Sequence, residues 1–260
     1  MSDRYDCSDP EQRAAGLKAA VDAVRRGELV VLPTDTVYGI GAEAFTPAAV
    51  TGLLIAKRRG RDMPPPVLVG TVRAANALIE DLSDAGKDFI DEFWPGGLTL
   101  VCRARSTLSW DLGETRGTVA VRMPLHPVAL DLLKETGPLA VSSANVSGMP
   151  AATTAGEAED QLGGSVAVYL DAGPATGGVP STIVDLTGLV PRLLRAGAIP
   201  VGRLNEVAAV ATSTQPPAGA TAEPAGADET AADTAAFGTP ETQTEISDAA
   251  PMPPDPGPGG

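Results

Sequence analysis

Cationic side chains that could hold an anionic substrate occur at two places in the sequence. Lys57, Arg59 and Arg61 lie within the run KRRGR, and Arg122 ends the apolar run TVAVR. Arginine offers a planar fork for phosphate or carboxylate, and lysine a compact charge suited to a polyphosphate. An arginine at the end of an apolar strand is costly to desolvate unless it meets an anion. These residues predict an anion site. Two alternatives stay open: a solvated helix end for the basic run and a buried structural ion pair for Arg122.

Two further segments combine short polar side chains with glycine. PTDTVYGIG spans residues 33–41, and SSANVSGMP spans residues 142–150. Hydroxyl and amide side chains in such loops can bind the polar groups of a small substrate, and glycine lets the backbone approach it closely. The same composition also occurs in plain turns, where Thr, Asp and Ser bond nearby amides. The residue types alone therefore leave both interpretations open.

Several familiar devices of catalysis and nucleotide binding are missing from the sequence. It contains no P-loop, no GxGxxG at a strand-to-helix junction and no nucleophile elbow. The single histidine, His126, precedes a proline at a predicted helix start, where a structural role is favoured. Cys7 and Cys102 form no CxxC or Cys/His cluster, so we predict neither a metal site nor a disulfide. An enzyme built from this sequence would act by positioning reactants and stabilising charge.

Composition divides the chain into two regions. Residues 211–260 contain eight acidic residues, no Lys or Arg and one aromatic residue among repeated Ala, Thr, Pro and Gly. Such a segment cannot bury enough apolar surface to offset its ordering entropy, so we predict a folded domain over residues 1–210 and a disordered acidic tail over residues 211–260. The chain has a net charge of −14, of which the tail carries −8, so the domain is only mildly acidic. It therefore has no global electrostatic footprint for nucleic acid.

The N-terminal sequence and the hydropathy predict the compartment. The segment MSDRYDCSDPEQR is polar where a signal peptide needs an apolar core, and no apolar run reaches the length of a membrane span. We expect a cytoplasmic protein with no membrane association.

Helix and strand patterns alternate along the predicted domain. Periodicity and capping residues predict helices over residues 11–26, 47–59, 72–80, 83–93 and 126–136. Short apolar runs predict strands over residues 28–32, 66–70, 98–103, 118–123, 139–142, 167–170, 181–186 and 192–195. The intermixed order implies one α/β domain in which helices cover a sheet. The candidate side chains then follow strand ends, where such a sheet presents a ligand.

Taken in order, seven segments resemble the YrdC-type threonylcarbamoyl-AMP synthase family. They are PTDTVYGIG, KRR as the family's K-x-R, FWPGGLTL, VAVRMP, SSANVSGMP as its S-x-N motif, STIVDL and LLRAG, and they cover roughly residues 15–200. Each is weak alone, but seven ordered blocks with compatible spacing are a specific signal. The resemblance implies a YrdC-like α/β domain, in which a twisted mixed parallel and antiparallel sheet with flanking helices surrounds a deep, positively lined cavity.

The resemblance also implies a reaction and its reactants. L-threonine captures bicarbonate as a carbamate, whose oxygen attacks the α-phosphate of ATP and releases pyrophosphate. ATP is a substrate, and Mg²⁺ accompanies it on the phosphate oxygens. The product feeds a tRNA threonylcarbamoyl transferase complex, and weak direct binding of tRNA stays open.

Three sets of site residues follow from the resemblance. The L-threonine set, with an arginine on the carboxylate, is Thr34, Arg122, Ser143 and Ser181. The ATP set holds the triphosphate and the adenylate and consists of Lys57, Arg59, Arg61, Thr118, Asn145, Thr153 and Arg195. The catalytic set, which stabilises charge as pyrophosphate leaves, is Lys57, Arg59, Ser143 and Asn145.

This sequence departs from the family pattern at two positions. Many relatives carry Asn and His where this chain has Met63 and Leu68, so contacts of those side chains do not transfer, and Arg61 is the candidate replacement for phosphate binding. The main alternative is an RNA- or tRNA-binding module of the same fold without adenylation. A basic exterior and exposed aromatic residues would favour it, but the chain is acidic and only 3% aromatic.

Overall fold

The computed structural model of the protein describes residues 2–212. Within that range the chain forms an eleven-stranded sheet in the order β1-β8-β2-β3-β7-β4-β6-β5-β9-β10-β11. The strands are β1 Asp3–Asp6, β2 Val30–Leu32, β3 Gly39–Glu43, β4 Val67–Leu68, β5 Leu98–Arg103, β6 Thr118–Arg122, β7 Leu139–Ser143, β8 Val168–Asp171, β9 Thr182–Asp185, β10 Arg192–Arg195 and β11 Ala211–Thr212. Five neighbouring pairs are parallel and five are antiparallel, which confirms the predicted mixed sheet.

Seven α-helices cover this sheet within the described residues. They are α1 Pro10–Arg25, α2 Pro47–Ala56, α3 Val72–Leu78, α4 Asp84–Phe93, α5 Pro127–Thr136, α6 Ala155–Leu162 and α7 Val201–Val207. Local capping explains several of the N-termini, because the side chains of Asp9, Thr71, Ser83 and Thr154 each accept a backbone amide of the first turn. None of the helices in residues 2–212 is long and apolar enough to cross a membrane.

Helix α2 ends three residues before its predicted terminus. Lys57 is its C-cap, and Arg58 follows in the left-handed region with φ +52°. The amides of Arg58 and Arg59 return to the carbonyls of Ile55 and Leu54, the pattern of a Schellman motif. The basic run therefore turns away from the helix axis.

The central strands β2, β3, β7 and β8 are largely buried between two layers, because α1 and α5 cover one side and other helices cover the second. Successive strand residues alternate between the two cores: Val30 and Leu32 pack with α1 and α5, whereas Val31 packs on the opposite side. These central strands therefore lack a solvated face, which suits the continuous apolar runs that predicted β2, β7 and β8. Strands β1, β10 and β11 contain only exposed or half-buried residues.

Five observed strands and α-helices were not predicted from the sequence: β1, β3, α6, α7 and β11. The segment after Tyr38 was predicted as a loop, but Gly39–Glu43 forms the central strand β3 between β2 and β7. The described chain also runs two residues beyond the predicted domain boundary, since Ala211–Thr212 pair with β10. The rest of the predicted acidic tail lies outside the described residues.

Two glycines allow a matched test of how closely the backbones pack. A Cβ at Gly197 would meet the carbonyl oxygen of Pro180 and lie 2.6 Å from that of Ser181, whereas a Cβ at Gly52, inside α2, would meet nothing within 4 Å. We expect Gly197→Ala to lower the free energy of unfolding by about 1–3 kcal/mol through overpacking. Gly52→Ala should raise it by about 1 kcal/mol, because alanine favours the helix. Urea unfolding of both variants measures the sign of each change in the free energy of unfolding. Equal changes in the two variants would contradict the close packing described at Gly197.

Candidate active site

A cavity of about 850 Å³ opens beside β6, β7 and β9. Seven of the eleven predicted site residues line it, namely Thr34, Arg59, Thr118, Arg122, Ser143, Ser181 and Arg195. The charged residues of its wall are five arginines and two carboxylates: Arg59, Arg116, Arg122, Arg192, Arg195, Glu114 and Asp185. The excess of positive charge suits an anionic ligand.

The ammonium group of Lys57 lies behind this wall in a cluster of oxygens. Its Nζ is 2.6 Å from the carbonyl oxygen of Ser143, 2.8 Å from that of Asn145, and 3.1 Å from the Asn145 Oδ1. The side chain is only 1% exposed, and neither Lys57 nor Asn145 is among the cavity-lining residues. A buried ammonium is costly unless it is well hydrogen-bonded. The segment 143–145 supplies those bonds, so Lys57 holds the backbone of this segment in place. Direct contact of Lys57 or Asn145 with ATP stays a prediction.

Arg59 extends this connection to the cavity wall. It donates from Nη1 to the Ser142 hydroxyl at 3.2 Å and from Nε to the Ser147 hydroxyl at 3.4 Å. The Ser147 amide in turn donates to the carbonyl of Lys57 at 3.0 Å. The K-x-R and S-x-N segments, predicted to act together, thus contact each other over 83 to 88 residues of sequence.

Arg122 is held in a buried ion pair at the end of β6. Its Nη2 lies 2.6 Å from the Asp35 Oδ1, its Nη1 bonds the Thr36 hydroxyl and its Nε bonds the Gly96 carbonyl. Burial lowers the pKa of Arg122, and the charge of Asp35 opposes that effect. The structural ion pair left open by the sequence is therefore present, and Arg122 also lines the cavity. The structural ion pair and the predicted anion site are compatible, because a guanidinium has five donor hydrogens and the contacts described here use three of them.

Hydroxyl groups surround this end of the cavity. Thr34 donates to the carbonyl of Val37 at 2.6 Å and lies 3.0 Å from the Thr36 hydroxyl. Across the cavity, the Ser181 hydroxyl lies 2.8 Å from that of Thr99, and Arg195 donates to both the carbonyl and the hydroxyl of Ser181. The predicted residues Thr34, Ser181 and Arg195 are thus held in place by hydrogen bonds within the protein.

Besides Lys57 and Asn145, two more predicted ATP residues lie away from the cavity wall. Arg61 forms an exposed ion pair with Asp111 at 2.6 Å and is not among the cavity-lining residues. Thr153 donates from both its amide and its hydroxyl to Glu157 at the start of α6. This geometry does not support the predicted phosphate contact of Arg61. Thr153 instead takes part in the hydrogen bonds that cap the N-terminus of α6.

Sequence reasoning missed several wall residues. Thr99 and Asp185 are buried polar residues inside strands, and Arg116 lies in a turn with no motif around it. Burial raises the pKa of Asp185, but hydrogen bonds from Thr187 and Arg192 outweigh it and hold that pKa below its usual value. Thr99 and Asp185 lie within the segments FWPGGLTL and STIVDL that carry the family resemblance, so a sequence signal was present but neither residue was assigned a role.

The fold and wall define an α/β domain with an arginine-lined ligand cavity, and comparisons place it among known proteins. The profile of the Sua5/YciO/YrdC family, described as "Telomere recombination", matches residues 22–197. A Mycobacterium tuberculosis protein, provisionally named threonylcarbamoyl-AMP synthase, is 55% identical over 210 residues, 81% of this chain and 97% of its own length. The threonylcarbamoyl-AMP synthase of Bacillus subtilis is 37% identical over 76% of this chain and 57% of its own.

A solved structure agrees with these relatives. Pyrococcus abyssi Sua5 complexed with L-threonine superposes with a TM-score of 0.72 at 32% identity, covering 79% of this chain and 63% of that protein. The chain belongs to the Sua5/YciO/YrdC family.

Two ion pairs of equal length test whether burial makes the Arg122 contact important. The Arg122–Asp35 and Arg61–Asp111 pairs both measure 2.6 Å, but their side chains are 7% and 14% exposed in the first and 53% and 42% exposed in the second. Asp35→Asn leaves a buried guanidinium without its counterion, so we expect it to lower the free energy of unfolding by about 3 kcal/mol. Asp111→Asn should change it by less than about 1 kcal/mol. Guanidinium chloride unfolding measures both, and similar losses would refute the distinction.

Proposed function

We propose that this protein is an L-threonylcarbamoyladenylate synthase that forms threonylcarbamoyl-AMP and pyrophosphate from L-threonine, bicarbonate and ATP. The observation that carries the proposal is the cavity itself, in which a buried arginine with hydroxyl neighbours faces the same space as Arg59 and the serines of segment 142–143. The 55% identity to a protein of the same proposed activity over nearly its whole length supports it.

The threonine end of the site would be formed by Arg122, Thr34 and Ser181. The guanidinium of Arg122 would receive the carboxylate of L-threonine, because it is fixed by Asp35 and faces the cavity. The hydroxyls of Thr34 and Ser181 would bond the remaining polar atoms of the amino acid. The amine condenses with bicarbonate to a carbamate, and water leaves.

The phosphate end would be formed by Arg59, Ser143 and the segment that Lys57 holds. The carbamate oxygen attacks the α-phosphorus of ATP, the bond from that phosphorus to the bridging oxygen breaks, and pyrophosphate departs with the electron pair. Arg59 is the wall cation best placed to stabilise that charge, since its guanidinium is oriented by Ser142 and Ser147. Thr118 and Arg195 would contact the nucleotide from β6 and β10. In enzyme classes, this reaction is a nucleotidyl transfer.

A magnesium ion would enter with ATP rather than bind to protein ligands. In residues 2–212, no group of three or more His, Cys, Asp or Glu side chains could hold a metal, and the carboxylates of the cavity wall are Glu114 and Asp185. The phosphate oxygens and water would therefore supply the ligands of Mg²⁺.

The acyl adenylate is a reactive mixed anhydride, so a transferase must consume it. We propose that a tRNA threonylcarbamoyl transferase complex does so, in the cytoplasm, with at most weak binding of tRNA to this chain. An RNA-binding module without adenylation is not favoured, because the named relatives are synthases.

Pyrophosphate release from ATP and bicarbonate tests this function directly. We expect release with L-threonine, much less with L-serine and only background without an amino acid. Arg59→Gln removes the wall cation and should lower kcat/KM by about a hundredfold, since it removes stabilisation of transition-state charge. Arg73→Gln, on the exposed surface of α3, is the matched control and should match wild type. A folded wild-type protein that releases no pyrophosphate under any condition would rule the function out.

A further inference from the structure

Arg116 stands at the cavity wall in a backbone conformation that arginine rarely adopts. Its φ is +52°, and that of the following Gly117 is +76°. The amide of Thr118 donates to the carbonyl of Thr115 at 3.0 Å, which closes a four-residue turn around this pair. Two central residues with positive φ define a type I′ turn, in which Asn-Gly or Asp-Gly is the favoured pair. This chain places arginine where a short side chain would be less strained.

Arg58 offers a comparison, because it shares the φ of +52° with Arg116 and each residue lies in a hydrogen-bonded turn. Arg58 follows the C-cap of α2 and completes the hydrogen bonds of a Schellman motif. Both side chains are exposed, but Arg116 lines the cavity and Arg58 does not. Strained residues persist where the surrounding structure enforces them, and they concentrate at functional sites.

The turn that carries Arg116 is attached to the outward-facing part of the basic run. Arg61 pairs with Asp111 at 2.6 Å, and its carbonyl accepts the amide of Glu114 at 2.8 Å. A Cβ on Gly113, where φ is +103°, would lie 2.6 Å from the same carbonyl. Arg61 therefore contributes to the wall indirectly, by holding the segment from which Arg116 projects.

The register of the sheet places Arg116 at the phosphate end. Strand β4 pairs Leu68 with both Arg122 and Leu139, so β7 begins level with the end of β6. Because β7 runs antiparallel to β6, Ser143 lies toward Thr118, about 13 Å along the strand from Arg122. Arg59 bonds Ser142 at this end, and Arg116 precedes β6 by two residues.

We propose that Arg116 is a further phosphate-binding residue of this site, which receives the polyphosphate of the nucleotide opposite Arg59. The proposal rests on the synthase function given above. It assigns to Arg116 the role that the sequence had suggested for Arg61. The guanidinium would bond phosphate oxygens as a planar fork, while Arg122 holds the amino acid at the other end of the same strand.

Asparagine at positions 116 and 58 gives a matched test. Asn tolerates positive φ, so both Arg116→Asn and Arg58→Asn should keep or raise Tm. Only Arg116→Asn should raise the KM for ATP and the inhibition constant of pyrophosphate, each by about tenfold, through the loss of a charge-assisted hydrogen bond. The KM for L-threonine should stay within about twofold in both variants. Arg116→Lys, which keeps the charge, should recover part of the loss.

The outcomes separate this inference from the proposed function. If wild type shows threonine-dependent pyrophosphate release but Arg116→Asn leaves the KM for ATP and pyrophosphate inhibition unchanged, Arg116 is not a phosphate ligand. A parallel rise in the KM for ATP and L-threonine together with a lower Tm would make Arg116 a structural residue and also overturn the inference. Absence of release by wild type would instead refute the synthase function.

Discussion

The buried ammonium of Lys57 is the charge on which the arrangement of the site depends. It is 1% exposed and lies within hydrogen-bonding distance of oxygens of Ser143 and Asn145, 86 and 88 residues away. Such a charge is stable inside a protein only if polar atoms converge on it. The convergence fixes the loop after β7, and Arg59, two residues from Lys57, is thereby set against Ser142 at the cavity wall. One hydrogen-bonded cluster thus connects the C-terminal end of α2 to the loop that follows β7.

A second constraint is strand β6, because the candidate binding residues lie at its two ends. Arg122, buried against Asp35, closes one end, and the turn that carries Arg116 precedes the other. In the proposed function, a carboxylate and a polyphosphate would be held apart on this rigid element, with the carbamate between them. Rigid strands position reacting groups more precisely than loops do, and the proposed reaction would depend on positioning because the carbamate attacks ATP directly, without a covalent enzyme intermediate.

The sequence predicted what depends on local pattern and missed what depends on distant contacts. Strands β5 and β10 and helix α5 match their predictions closely, because apolar runs and caps are local signals. Strand β3 was missed because its glycines suggest a loop, and only its pairing with β2 and β7 makes it a strand. The family motifs identified most of the wall. They could not show that Lys57 faces a carbonyl cluster, that Asp35 pairs with Arg122 across 87 residues, or that Arg116 occupies the wall instead of Arg61.

Amide hydrogen exchange of Lys57→Met against wild type tests most directly whether the buried ammonium organises the site. The amides of Ala144 and Ser147, which donate to the carbonyls of Tyr38 and Lys57, report on the loop, and those of α1 serve as the reference for global stability. We predict that Ala144 and Ser147 lose protection by more than about tenfold relative to α1, because local opening no longer has to break the ammonium contacts. Unchanged protection of the loop in a folded Lys57→Met variant would contradict the claim that the ammonium organises the loop. Any role of Lys57 would then be limited to direct contact with the substrate.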